Sequence, residues 1–240
     1  MTKTTSRLQE LRRSIYRKAK AEKGHRFWGL YVHVAKLETL EEAYRIAKGN
    51  AGAPGIDGVT FDDVETCGRE LYLAEIRREL LDGTYEPKAY RVVEIPKGDG
   101  KVRKLSIPTI GDRVVQGAVK LILEAVYEAD FCPNSHGYRP KRSQHRALAE
   151  VRRSLLRRMS TVIEIDLSSF FDGIRHHILL GKIARRAQDD QLMALVKKML
   201  KVGGKKGVPQ GGPFSPLAAN IYLNELDWEL ERMRQETADG

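Results

Sequence analysis

Thr161-Val162-Ile163-Glu164-Ile165-Asp166-Leu167-Ser168-Ser169-Phe170-Phe171-Asp172 opens with the clearest alternation in the chain. Ile163, Ile165 and Leu167 fall on one face of an extended segment, and Val162, Glu164 and Asp166 fall on the other. The period of two predicts a strand over Thr161–Leu167, with Asp166 carried near its end. A carboxylate on such a support points into a cleft from a rigid base, as a hard divalent cation requires. Taken alone, an Asp at a strand end is ordinarily a turn or cap residue. Phe170 and Phe171 alter that balance, because two aromatics beside a metal-binding carboxylate can form a flat wall against a sugar or base.

Outward from this segment the periodicity is mostly helical. Helices are predicted from Ser6 to about Gly24, Leu37 to Lys48, Gly68 to Leu81, Gly111 to Tyr127, Ser143 to Met159, Arg175 to Ala187, Asp190 to Leu200 and Pro216 to Arg234. Thr109 is the expected cap of the Gly111–Tyr127 helix. Gly49 to Gly58 is too rich in Gly and Pro to continue a helix. Tyr90–Ile95 and Val102–Ile107 flank Lys97-Gly98-Asp99-Gly100-Lys101, which predicts a hairpin with a basic tip. The order of helices, hairpin, helices, strand and helices argues for an α+β fold rich in helix.

Charge points to a polyanion. The 240 residues carry a formal net charge of +10, and 31% of them are charged. Residues 1–26 hold nine Lys or Arg against two Glu, and residues 139–158 hold eight against the single acid Glu150. Two separated basic segments suit a chain that follows a nucleic-acid backbone, and they suit solvated helix faces equally well. Cys67 and Cys132 are isolated, which argues for reduced thiols and against a disulfide framework or zinc site. No apolar run approaches the ~18 residues needed to span a membrane, and no apolar segment follows the basic N-terminus. A cytoplasmic or nucleoid location is expected.

The hairpin tip gathers Lys97, Lys101, Arg103 and Lys104 around two glycines, an arrangement able to clamp a triphosphate. By itself the tip reads better as a solubilising turn. Pro209-Gln210-Gly211-Gly212 ahead of a helix can present backbone N–H groups to a nucleotide, though an isolated Gly-Gly loop is usually only a loop.

In order along the chain these blocks resemble group II intron reverse transcriptases. Asn50 to Thr60, Ile95-Pro96-Lys97 with Val102-Arg103, and Ile107-Pro108-Thr109 with Asp112-Arg113-Val114-Val115-Gln116 are similar to the fingers of that family. Asn134-Ser135-His136-Gly137-Tyr138-Arg139-Pro140 resembles its next block, and Glu164 to Asp172 its first palm carboxylate motif. Gly207-Val208-Pro209-Gln210-Gly211-Gly212 followed by Ser215-Pro216-Leu217 resembles its Pro-Gln-Gly motif. The likeness runs from about Phe27 to Trp228 and rests on the ordered spacing of the blocks, since any one of them is unspecific.

The resemblance implies a right-hand polymerase organisation: a basic helical extension over 1–48, fingers over 49–160 and a partial palm over 161–240. It implies RNA-templated DNA synthesis from dNTPs with two Mg²⁺ ions. Asp166 would be the catalytic carboxylate and a metal ligand, with the Leu167 carbonyl also reaching a metal. Lys97 and Arg103 would grip the incoming phosphates, Phe171 would lie under the sugar and disfavour a 2′-hydroxyl, and Gln210 would contact the nucleotide beside the template. Arg12, Arg13, Arg113, Arg139, Lys141 and Arg142 would touch the RNA template, DNA primer or intron RNA, chiefly through phosphates and 2′-hydroxyls. A maturase role is implied by family membership alone.

The family's aromatic-x-Asp-Asp motif is absent, and neither Asp62-Asp63 nor Asp189-Asp190 stands in for it. Lys104 and Pro213-Phe214 also depart from the usual pattern. The chain alone is therefore expected not to polymerise, and an exposed apolar surface is expected where further palm strands would pack. A non-enzymatic RNA-binding module, a reverse transcriptase of a defence or retron system, and a decayed fragment are the rival readings.

Overall fold

A computed structural model describes residues 4–96, 102–159 and 161–236. The hairpin tip with Lys97 lies outside the described residues. The fold is α+β and helix-rich, and its centre is a helix buried nearly all round. That helix, α6 (Ile110–Tyr127), buries fifteen of its eighteen residues, and an apolar surface of this extent has to be wrapped by neighbours. Thr109 caps it as the sequence predicts: its hydroxyl oxygen accepts the Asp112 N–H at 3.1 Å.

The wrapping comes from both ends of the chain. α1 (Thr4–Ala21) lays Leu8, Ile15 and Ala19 into the core, and α3 (Leu37–Gly49) adds Leu40, Ala43 and Tyr44 along α6. Between them the short α2 (Tyr31–Val34) sends the Tyr31 hydroxyl to the Leu80 carbonyl at 2.6 Å, which ties it to α5 (Arg69–Asp82). α4 (Phe61–Cys67) starts on a capping box in which Thr60 and Asp63 satisfy each other's backbone N–H groups. α7 (Gln144–Leu156) begins at Ser143 and buries no residue. After the single turn α8 (Phe170–Gly173), helices α9 (His176–Ala184), α10 (Asp190–Lys201) and α11 (Ser215–Glu236) supply Leu179, Ile183, Leu192, Val196, Leu217 and Ile221 to the same core. Residues 26–28 return to this side: Phe27 N–H donates to the Arg186 carbonyl and its own carbonyl accepts from Gln188 N–H, both at 2.7 Å. No helix among the described residues is long and apolar enough to cross a membrane.

The sheet has two strands among the described residues, β1 (Arg91–Pro96) and β2 (Val102–Ile107), paired antiparallel from Arg91 with Ile107 to Pro96 with Val102. The strand predicted over Thr161–Leu167 is not formed. That backbone has no ladder partner among the described residues, and Val162, Ile163 and Ile165 are 71–82% exposed. Alternation sets which side chains share a face, but a strand is held by hydrogen bonds to a neighbouring strand, and none lies alongside among the described residues. The expected exposed apolar surface is present here. The Val151 and Leu155 side chains of α7 and Leu230 of α11 continue it around a groove of about 610 Å³. The short helices α2, α4 and α8 were not predicted, because one turn or two carry too few residues to show a period.

Candidate functional site

β2 and the loop 207–212 form a junction held by backbone and side chain together. Ser106 N–H donates to the Gln210 carbonyl at 2.8 Å, and Arg103 Nε donates to Gln210 Oε1 at 2.9 Å. Gly211 allows this contact. Its φ is +123°, and a Cβ there would stand 2.5 Å from the Ser106 carbonyl oxygen. Behind the loop Ser215 Oγ donates to the Pro209 carbonyl at 2.6 Å, closing the turn onto the start of α11.

The same loop meets the segment that follows Asp166. Val208 N–H donates to the Phe171 carbonyl at 2.9 Å, and Gly207 N–H donates to the Ile174 carbonyl at 2.7 Å. His176 Nε2 lies 2.6 Å from the Gly207 carbonyl oxygen, which can only accept, so this nitrogen carries the proton. Three of the four residues assigned by resemblance to the nucleotide, Arg103, Phe171 and Gln210, are thus brought together through residues 207–211. Phe171 is half-buried and packs edge-on to Phe170, with ring centres 5.8 Å apart.

Asp166 and Leu167 are exposed on the unpaired segment. No group of three or more His, Cys, Asp or Glu among the described residues could hold a metal ion, so the donors present do not fit a two-ion centre. The other adjacent acid pairs are used structurally. Asp63 sits in its capping box, and Asp189 caps α10 through Leu192 N–H at 3.0 Å while accepting Tyr31 N–H at 2.8 Å. Both carboxylates are thus engaged in helix caps.

Asp112, at the start of α6, accepts from the Tyr85 hydroxyl at 2.5 Å, the Thr109 hydroxyl at 2.7 Å and Lys88 N–H at 3.2 Å. Burial still raises its carboxyl above the usual range, the donors offsetting only part of the desolvation. Burial and the Asp112 charge push the Tyr85 phenol well up in turn. This network fixes the approach to β1 and hence the base of the hairpin.

The basic residues divide into two kinds. Arg113 is buried, donating Nε to the Pro108 carbonyl at 3.0 Å, one Nη to Gly52 at 3.1 Å and the other to Ala53, so it holds the Gly/Pro loop against α6. Arg139 is also buried, paired through Nη2 with Glu128 at 3.0 Å and donating Nη1 to the Cys132 carbonyl at 2.7 Å and the Ser135 carbonyl at 2.8 Å. Arg12 pairs with Glu124 at 2.7 Å. Arg13 and Lys141 are exposed and Arg142 half-exposed. Arg12, Arg13, Arg17 and Lys141 line one groove of about 670 Å³, so the two basic segments separated in sequence meet in space.

The family profile described as "Reverse transcriptase (RNA-dependent DNA polymerase)" matches residues 95–237. The chain belongs to the reverse transcriptase family. Within it, the chain is similar to Protein YkfC of Escherichia coli (strain K12), at 39% identity over 93% of this chain and 62% of that protein. It is 38% identical to the group II intron-encoded protein LtrA of Lactococcus lactis subsp. cremoris, over 84% of this chain and 35% of LtrA. It is 28% identical to nuclear intron maturase 4, mitochondrial, of Arabidopsis thaliana, over 83% of this chain and 25% of that protein. These relatives place it with the group II intron reverse transcriptases and maturases. The chain spans 62% or less of the length of each of them.

Residue reading missed the Tyr85–Asp112 network and the contact between Gln116 and Gly212, where a Cβ on the glycine would lie 2.5 Å from Gln116 Oε1. Gln116 stands in a quoted reverse transcriptase block, but its neighbour lies ninety-odd residues later and no local pattern links them.

Proposed function

We propose that this chain carries the nucleotide-binding fingers and part of the palm of an RNA-directed DNA polymerase of the group II intron type, which adds dNTPs to a DNA primer on an RNA template and also binds intron RNA. The observation that carries the reading is the Arg103–Gln210 hydrogen bond at 2.9 Å, which joins a fingers strand to the Pro-Gln-Gly loop beside Phe171. Arg103 offers cationic donors for the charge-assisted hydrogen bonds a triphosphate needs, and the family resemblance gives Lys97 the same role. Gln210 orients the Arg103 fork, and its carboxamide remains beside the base. Phe171 faces the sugar and disfavours a 2′-hydroxyl. Arg13, Lys141 and Arg142 take phosphates of the RNA, while Arg113 and Arg139 act as positioning residues for the loops they hold. Mg²⁺ is the cofactor the family resemblance implies. Asp166 by itself supplies one carboxylate, which is too few donors for two ions, so the roles assigned to this chain are those of binding and orientation.

The test is retention of a non-hydrolysable dNTP analogue by the complex of this chain with an RNA–DNA template-primer, followed by fluorescence anisotropy. Arg103→Ala and Gln210→Ala are each expected to weaken retention about tenfold, the worth of one charge-assisted hydrogen bond. Retention indifferent to both substitutions overturns the reading. The isolation of Asp166 favours a second reading, a non-catalytic RNA-binding module. Template-dependent primer extension that vanishes in Asp166→Ala would eliminate that alternative.

A further inference from the structure

A second cationic concavity, away from the Arg103–Gln210 junction, lies where the start of α9, the end of α10 and the turn 203–207 converge. It measures about 800 Å³ and is lined by Arg175, His177, Lys197, Lys201, Lys205 and Lys206, with no acidic residue. Its floor includes Leu180 and Leu200.

These cations are gathered in one concavity with no carboxylate among its lining residues. Other basic residues nearby have carboxylate partners: Lys182 and Arg185 share Glu225, and Lys198 reaches Glu86 at 2.7 Å. Arg175, Lys197, Lys201, Lys205 and Lys206 have no ion pair among the described residues. Like charges gathered without counter-charge repel one another, and only a bound anion turns that cost into a gain. Lys201 has an ordinary explanation, since a cation in the last turn of α10 complements the helix dipole. That explanation does not extend to Lys205 and Lys206 beyond the helix. It fails for Arg175, which occupies the N-cap of α9, the end at which a cation is disfavoured. The first turn of α9 has no acidic residue and no side-chain cap, so its open amides add positive character to the same pocket.

The apolar floor beneath a cationic rim suits a sugar–phosphate chain better than a compact inorganic ion, because a ribose or base can rest on the partly exposed Leu180 while the phosphates meet the rim. The pocket also shares a wall with the site already described. His176 lines it and is bonded to the Gly207 carbonyl, and the chain from Gly207 runs directly into Gln210.

We propose that this pocket is an RNA-backbone site which takes at least two consecutive phosphates of a single-stranded segment, the number that the adjacent Lys205 and Lys206 alone can neutralise. The proposal rests on the reading that the chain binds RNA, and it assigns to RNA a surface which that reading leaves unused. The experiment compares wild-type chain, Lys205→Ala/Lys206→Ala and the charge-matched control Lys36→Ala/Arg77→Ala in filter binding of a single-stranded RNA across a salt series. All four side chains are exposed and without an ion pair among the described residues, so unfolding midpoints should be alike. The pocket variant is expected to lose about tenfold or more in affinity, and its log–log salt slope should fall by about 1.4, two contacts at roughly 0.7 each. The control should match wild type. Equal loss in both variants, or no loss in the pocket variant, overturns the pocket while leaving RNA binding intact. Failure of the wild-type chain to bind RNA in a salt-dependent way overturns the broader reading as well.

Discussion

The loop 207–212 and the segment 161–167 both resemble palm motifs of the family, yet one is locked and the other is bare. In the loop, Gly207, Val208, Gln210 and Gly211 are each held by a backbone bond or by close approach to β2 or to residues 171–174. In the segment, Val162, Ile163 and Ile165 face solvent and the backbone has no partner strand among the described residues. A motif's chemistry depends on what holds it. Arg103, Phe171 and Gln210 are organised by contacts within this chain, whereas Asp166 sits on backbone with no neighbour among the described residues.

Substitutions can break or sharpen this contrast. The largest effect is expected at Gly211→Ala, which meets both a positive φ and a backbone oxygen, and should cost about 3 kcal/mol in urea unfolding. A cost near zero would mean that the loop is not locked. Arg113→Ala strands the carbonyls of Gly52, Ala53 and Pro108 and should cost roughly 2 kcal/mol in the same measurement.

Asp112→Asn probes the base of the hairpin through pH. The folded carboxyl is raised, so the folded chain holds that proton more tightly. Its stabilising contribution is full below the unfolded value near ~3.9 and is lost as pH rises through the folded one. Wild type minus variant stability should therefore decline across that window, by at most about 1.4 kcal/mol per pH unit. A rising difference would reverse the assignment.

The Arg103–Gln210 bond is partly exposed, and a double-mutant cycle should return about 0.5–1 kcal/mol of coupling. Ile163→Ala should be smallest, within about 0.5 kcal/mol, because a side chain that is 82% exposed gives up little on truncation. A large loss there would show that the segment is packed in solution after all.

Much of this fold was legible because its helices are long and amphipathic. α3, α5, α6, α7 and α10 all lie close to where the period of apolar residues puts them, and Thr109 and Ser143 cap as their chemistry suggests. Thr161–Leu167 misled because alternation records which faces match and says nothing of whether a neighbouring strand exists. At the site, the grouping of Arg103, Phe171 and Gln210 followed from the order of family blocks. The burial of Arg113 and Arg139 did not, since an arginine that ties down loop carbonyls and one that awaits a phosphate look identical in sequence. The meeting of Arg13 with Lys141 was equally invisible, being a product of how α1 crosses α6.

The clasp of Phe27 between Arg186 and Gln188 bears on how the protein is made. With Tyr31 reaching Asp189, it ties the beginning of the chain to a stretch about 160 residues later. A growing polypeptide cannot make these bonds until that stretch has left the ribosome, and the contact of α11 with α6 waits longer still. Such distant closures slow folding and lengthen exposure of sticky intermediates. Nascent chains halted before residue 190 should accordingly be digested readily by protease and engaged by chaperones.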